Sequence, residues 1–173
     1  MRWFNRRGSL LSQTVLLIVL ACTSVAAQAV TDCVRLVPES ARNTVCDVRQ
    51  YRQTRGVDAD RYVQCALAAL GFVDESGSVQ RSTVLSALDA VETHDGVYTD
   101  SVDACLSKAK KLTGAERSAV FFSCMLQTES SQNFKDAVDL QELRLAAKWP
   151  ESDRFERSKV QQLMREVNKQ LRC

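Results

Sequence analysis

Two acidic residues three positions apart, in the stretch FKDAVDLQEL at residues 134–143, have the clearest potential for chemistry. This stretch predicts an amphipathic helix, and on one face of it Asp139 and Glu142 can reach a common point. Apolar residues flank the pair, and two acids in such surroundings repel each other unless a positive group lies between them. That group is expected to be a ligand or a lysine.

The acidic pair has two interpretations that the residues alone leave open. On a solvated helix face, the more common situation, Lys135 would pair with Asp139 four positions later and contribute little. In a pocket, the two carboxylates would instead hold an ammonium group by charge-assisted hydrogen bonds. A catalytic acid and base are disfavoured, because glycosidase carboxyl groups face each other across a cleft and not along one helical turn.

Other signs of catalysis are weak. His94 is the only histidine, and its turn-like setting THDG favours a solvated side chain over a catalytic base. The chain has no glycine-rich phosphate loop and no nucleophile elbow. We therefore predict that the protein is not an enzyme, has no catalytic residues and needs no cofactor.

The first thirty residues predict export. Arg2, Arg6 and Arg7 precede the apolar run TVLLIVLA, and small residues follow it. This order predicts a signal peptide over residues 1–27, with cleavage after Ala27 or Ala29, and a single domain over residues 28–173. A membrane anchor is the alternative, but the apolar run is shorter than the roughly 20 residues that a spanning helix needs.

Charge and cysteine content restrict the partners and the covalent framework. Loss of the signal peptide removes three of the 23 basic residues and none of the 21 acidic ones, so the remainder is near neutral. This balance gives no reason to expect nucleic acid or a membrane as partner. Six cysteines remain, and an even number in an exported chain predicts three disulfides. A metal site is disfavoured because no two of them have the close spacing of zinc ligands.

Helical periodicity continues over almost the whole chain after residue 31, and alternating strand patterns are lacking. The predicted fold is therefore all-α, with about seven short helices in one disulfide-stapled domain. The first helix is expected from Cys33 to about Arg52, with a break near Pro38 and an end at Gly56.

Local signals predict where the later helices begin and end. Asp58 and Ser78 are suitable N-terminal caps for the second and third helices. Thr113 and Glu116 form a capping box for the fifth helix. The sixth helix, which contains the acidic pair, is expected to stop before Pro150.

The pattern as a whole resembles a known family. The segments CDVRQY, RYVQCALAALGFV, ERSAVFFSCML and FKDAVDLQELRLAAK, with six cysteines in register from Cys33 to Cys173, resemble the short-form D7 salivary proteins of blood-feeding mosquitoes. These are distant relatives of the insect odorant-binding proteins. The resemblance implies the bridges Cys33–Cys65, Cys46–Cys173 and Cys105–Cys124.

The resemblance also implies a function. Members of the family are secreted in saliva and sequester host amines such as serotonin, noradrenaline and histamine at the bite, which counters vasoconstriction, platelet aggregation and inflammation. The family's DLxEL motif is intact here as Asp139 to Leu143, so Asp139 and Glu142 would contact the ligand's ammonium group. Arg49 matches a family arginine that bonds other polar groups of the pocket; without the resemblance, an exposed helix arginine is equally plausible.

Two positions depart from the family pattern. Tyr62 stands where amine-binding relatives commonly have a histidine, and Phe122 where they have a tyrosine. Both positions would contact the ring of the ligand. The Tyr62 hydroxyl can bond a polar ring group, whereas Phe122 cannot donate a hydrogen bond and is otherwise a core residue.

We expect a monomer that binds a small molecule, most plausibly an amine. Two rival functions remain open. A binder of lipid mediators such as eicosanoids would leave Asp139 and Glu142 facing solvent. An inhibitor of clotting or contact activation would act through an exposed surface patch.

Overall fold

The computed structural model describes residue 30, residues 32–91 and residues 97–173. This part of the chain contains seven α-helices, and residues 32–35 and Glu39–Ala41 add short helical turns. The helices are α1 (Arg42–Arg49), α2 (Val57–Ala69), α3 (Arg81–Asp89), α4 (Val97–Ala109), α5 (Gly114–Met125), α6 (Ser131–Leu145) and α7 (Arg157–Gln170). The predicted all-α fold is confirmed. The predicted signal peptide and His94 lie outside the described residues.

Helix α1 ends earlier than the sequence predicted. The chain breaks at Pro38, as expected, but α1 then stops at Arg49 and not near Arg52. The reason is a left-handed residue: Tyr51 has φ 57°, and the amides of Tyr51 and Arg52 bond the carbonyls of Val48 and Asp47. This is a Schellman motif, in which glycine is the usual left-handed residue. A tyrosine at this position directs an aromatic ring back toward the helices.

The helix starts differ from the predicted caps by a few residues. Helix α2 is preceded by Gly56 and not by Asp58, which lies in its first turn, and α3 is preceded by Gln80 and not by Ser78. Thr113 is the N-cap of α5 as predicted, although its side chain makes no capping hydrogen bond. Helix α6 ends at Leu145, several residues before Pro150.

Three disulfides staple the helices together. They join Cys33 to Cys65, Cys46 to Cys173 and Cys105 to Cys124, which are the pairs that the resemblance implied. The second bridge connects α1 to the end of α7, and the third connects α4 to α5. In exported domains such bridges stabilise mainly by restricting the unfolded chain.

Helix α6 carries the acidic pair and is positioned from both sides. It packs against α3 and α7, while α2 packs extensively on α5. A small apolar cluster fixes α7 against α6 and consists of Leu140, Leu143, Trp149, Val160 and Met164. Because α6 is held in this way, one of its faces is directed at the C-terminal end of α1 and at α2.

Candidate ligand-binding site

A narrow cavity of about 40 Å³ lies where α1, α2, α5, α6 and α7 meet. Its lining is mostly apolar and comes from Val30, Val48, Val63, Ala66, Leu67, Leu70, Phe122, Val138 and Met164. The polar lining consists of Arg49, Tyr51, Tyr62, Asp139 and Glu142. The structure thus brings all five predicted site residues to one cavity: Arg49, Tyr62, Phe122, Asp139 and Glu142.

The guanidinium of Arg49 organises the polar side of the cavity. It donates three hydrogen bonds: from Nη2 to Glu142 Oε1 at 2.9 Å, from Nη1 to the Tyr62 hydroxyl at 3.1 Å, and from Nε to Asn168 Oδ1 at 2.6 Å. These partners lie on α6, α2 and α7, so one side chain of α1 ties three other helices together. Arg49 is therefore a pocket residue and not an exposed helix arginine.

The bond between Arg49 and Glu142 is a buried ion pair. The two side chains are only 4% and 10% exposed. Burial by itself disfavours the charge on Arg49, but Tyr62 and Glu142 outweigh it and raise the arginine pKa above its usual value. The positive group beside Glu142 is thus an arginine 93 positions away in sequence, and not a neighbouring lysine.

Asp139 has a different kind of partner. The Tyr51 hydroxyl donates to Asp139 Oδ1 at 2.5 Å and also lies 3.2 Å from the backbone carbonyl of Lys135. The ammonium of Lys135 lies over the Tyr51 ring, 5.9 Å from its centroid. Asp139 therefore receives a hydrogen bond from a neutral group. This bond gives one carboxylate oxygen a donor but does not balance the negative charge of an ionised Asp139.

This environment weakens the acidity of Asp139. Burial raises the pKa of its carboxyl group to about 7, and the negative charges of Glu142 and Asp136 act in the same direction. The hydrogen bond from Tyr51 and the charge of Arg49 oppose this shift only in part. A cation placed against Asp139 would favour its ionised form.

The lining of the cavity also contains aromatic side chains. The Tyr62 hydroxyl accepts a hydrogen bond from Arg49, and burial raises its pKa above the usual value although Arg49 lowers it. Phe122 stacks on Tyr51 with 6.2 Å between ring centroids and meets Phe134 edge to face at 5.9 Å. Phe122 is thus both a core residue and part of the cavity wall.

Sequence reasoning missed two residues of this arrangement. Tyr51 belongs to the CDVRQY segment, but nothing in the segment shows that its backbone is left-handed. Asn168 lies on α7 in a polar stretch and is joined to Arg49 across 119 positions. A tyrosine just after a helix that carries a candidate pocket residue is the one signal that could have drawn attention to Tyr51.

Comparison with known proteins places the chain in a class. A sequence model of the PBP/GOBP family matches residues 20–128. The chain is 78% identical to short form salivary protein D7R5 of Anopheles gambiae over 145 residues, which are 84% of this chain and 87% of the relative. It is 35% identical to short form salivary protein D7R3 of the same mosquito over 141 residues, which are 82% and 83% of the two chains.

A solved structure shows the same fold. The norepinephrine complex of Anopheles gambiae D7R4 superimposes with a TM-score of 0.76 at 28% identity, and the match covers 84% of this chain and 99% of that one. The chain therefore belongs to the PBP/GOBP family and, within it, to the short-form D7 salivary proteins.

Family membership confirms the predicted localisation, because the relatives are salivary proteins. Within the described residues, no helix is long and apolar enough to cross a membrane. The same residues hold no group of three or more histidine, cysteine, aspartate or glutamate side chains arranged for a metal ion.

Proposed function

We propose that this protein binds a biogenic amine in the cavity between α1, α2, α5, α6 and α7, with the ligand's ammonium group beside Asp139 and Glu142. The ring of the amine would lie against Phe122, with Tyr62 at its polar end. Sequestration of an amine in saliva would deprive the host of a mediator at the bite, without any chemical turnover.

The charge balance of the cavity is the observation that carries this proposal. Its charged lining residues are Arg49, Asp139 and Glu142. Arg49 is bonded to Glu142, whereas Asp139 is bonded to a neutral tyrosine. With both acids ionised, the site lacks one positive charge, and a monocation would supply it. Charges interact more strongly in a partly buried site than in water, so this deficit favours a ligand with a single ammonium group.

One relative of known structure supports the same ligand class. The D7R4 protein was solved as a complex with norepinephrine, which combines an ammonium group with a hydroxylated ring. An eicosanoid carboxylate, in contrast, would meet two acidic residues in this cavity.

Isothermal titration tests the proposal directly. The oxidised protein, expressed without residues 1–27, is titrated with serotonin, norepinephrine and histamine. We expect saturable one-to-one binding of at least one amine, and loss of that binding in the double variant Asp139→Asn, Glu142→Gln. The amides keep the shape of the side chains and can still accept hydrogen bonds, so the charge is the main change.

A matched control removes the same charges elsewhere. Asp103 and Glu151 are exposed acids in surface ion pairs with Arg81 and Arg144. The double variant Asp103→Asn, Glu151→Gln is expected to bind as tightly as the wild type. Equal loss of binding in both double variants, or no binding of any amine by the wild type, would contradict the proposal.

A further inference from the structure

We infer that the Tyr51 hydroxyl occupies the ammonium position of this cavity and has to leave Asp139 when a ligand binds, so that Tyr51 sets the affinity and the cation selectivity of the site. This inference rests on the proposed amine-binding function.

Geometry is the first support. The single hydroxyl proton of Tyr51 has two acceptors within reach, and the shorter contact is the one to the Asp139 carboxylate. Hydrogen bonds to an ionised acceptor are stronger than those to a neutral carbonyl. The phenol therefore occupies Oδ1 of Asp139, one of the positions at which an ammonium group can pair with this carboxylate.

The backbone explains why a tyrosine side chain reaches this position. Tyr51 is the left-handed residue of the Schellman motif after α1, and its φ of 57° is unfavourable for a residue with a Cβ. Strained positions of this kind cluster at functional sites. The helix cap directs the ring toward α6, and stacking on Phe122 holds it there.

Packing indicates which part of the wall can move. Tyr51 is half-buried and lies on a turn, whereas Tyr62 and Phe122 are buried within α2 and α5. The Tyr51 side chain is thus the part of the lining that can move with the least loss of packing.

Electrostatics explains the selectivity. A phenol satisfies the hydrogen-bonding capacity of Asp139 but leaves its charge uncompensated. An ammonium group satisfies both, so exchange of the phenol for a cation is favourable. A neutral hydroxyl ligand would only replace one neutral donor by another, and it is rejected.

The substitution Tyr51→Phe tests the inference, because it keeps the stacked ring and removes only the competing hydroxyl. Norepinephrine and serotonin are titrated into the wild type and the variant by calorimetry. We expect the variant to bind about tenfold more tightly, which corresponds to one ordinary hydrogen bond. The matched control is Tyr98→Phe, which removes a tyrosine–aspartate bond to Asp89 away from the cavity and is expected to leave the affinity unchanged.

The outcomes separate this inference from the function on which it rests. Unchanged or weaker binding in Tyr51→Phe, with normal binding in the wild type, overturns the inference and leaves the function standing; weaker binding would make Tyr51 a positioning residue for Asp139. Binding in Tyr51→Phe alone supports the inference. No binding in either protein means that the amine function is wrong, and the inference falls with it.

A measurement on the wild type covers the case of a variant that does not fold. Carbon-13 labelled tyrosine rings are observed by NMR before and after saturation with norepinephrine. The Tyr51 signals are expected to shift as the hydroxyl leaves Asp139, while those of Tyr98 stay in place. Unchanged Tyr51 signals in the saturated complex would overturn the inference.

Discussion

Two aspartates of α6, Asp136 and Asp139, lie one turn apart and have different hydrogen-bond partners. Asp136 is 2% exposed, and Arg157 of α7 donates from Nε to its Oδ2 atom at 2.7 Å, with Nη2 of the same ion pair 2.6 Å from that oxygen. Gln132 donates to the other oxygen at 3.1 Å. Asp139 also lies against neighbouring helices, but its hydrogen bond comes from the neutral hydroxyl of Tyr51.

The difference separates a structural acid, Asp136, from the proposed binding acid, Asp139. The charge of Asp136 is balanced inside the fold, so this residue helps to dock α7 and has little to offer a ligand. Glu142 is likewise balanced by Arg49. An ionised Asp139 has no cation of the fold bonded to it, and under the proposed function this incomplete pairing is what attracts a cation to the cavity.

The largest expected effect concerns the arginine that balances Glu142. Arg49→Met would leave the Glu142 carboxylate buried without its cation, and we expect a loss of about 3 to 5 kcal/mol in the free energy of unfolding. Urea denaturation measures it. The control is Arg52→Met, since Arg52 is 63% exposed in a surface pair with Asp47 and should contribute less than about 1 kcal/mol. Similar losses in the two variants would contradict the distinction between buried and exposed pairs.

The second prediction concerns pH and the binding acid. Below about pH 7 Asp139 becomes protonated and cannot balance an ammonium group, which itself stays charged. We therefore expect the Kd for norepinephrine to rise about tenfold per unit as the pH falls from about 7 to about 5. Titration in buffers of different ionisation enthalpy should also show proton release on binding near pH 7. An affinity that does not change over this range would contradict the role of Asp139.

The third prediction compares the same substitution at the two aspartates, Asp136 and Asp139. Asp136→Asn should lower the free energy of unfolding by about 2 kcal/mol, because it weakens charge-assisted bonds to Arg157, but should leave amine binding intact in the folded protein. Asp139→Asn should instead abolish amine binding without lowering the free energy of unfolding. The raised pKa means that ionisation of Asp139 disfavours the fold as the pH rises from about 4 to about 7, so the amide should flatten this decline. Thermal unfolding at several pH values measures both effects.

The smallest effect is expected at Phe122. Phe122→Tyr would add a hydroxyl where the family resemblance implies one in amine-binding members, and we expect a gain of up to about tenfold in affinity for norepinephrine. Phenethylamine, which has the same skeleton without the hydroxyl groups, should bind both proteins equally. A gain of the same size for phenethylamine would show that the substitution changes the shape of the cavity and not its hydrogen bonding.

The apolar spacing in the sequence was enough to predict about seven helices. The spacing of Asp139 and Glu142 on one helix, together with the DLxEL motif of the family that the chain resembles, indicated these two acids as candidate site residues. The partners of these acids could not be predicted by spacing, because Arg49 and Tyr51 reach them across 93 and 88 positions. The early end of α1 was missed for a related reason: a left-handed tyrosine is set by its tertiary contacts and has no signal of its own, unlike the glycine at position 71.

The three bonds of Arg49 have a consequence for the order of folding. Two of them join residues 119 and 93 positions apart, and the third joins residues 13 positions apart. Contacts between distant segments form slowly, because closing a long loop costs chain entropy before the contact gives any stabilisation. Helices α4 and α5 are sequence neighbours joined by a bridge of separation 19, so they can assemble early. During oxidative refolding, helical circular dichroism should therefore recover before the ability to capture an amine. A secreted molecule in this intermediate state would be helical and yet inactive as a scavenger.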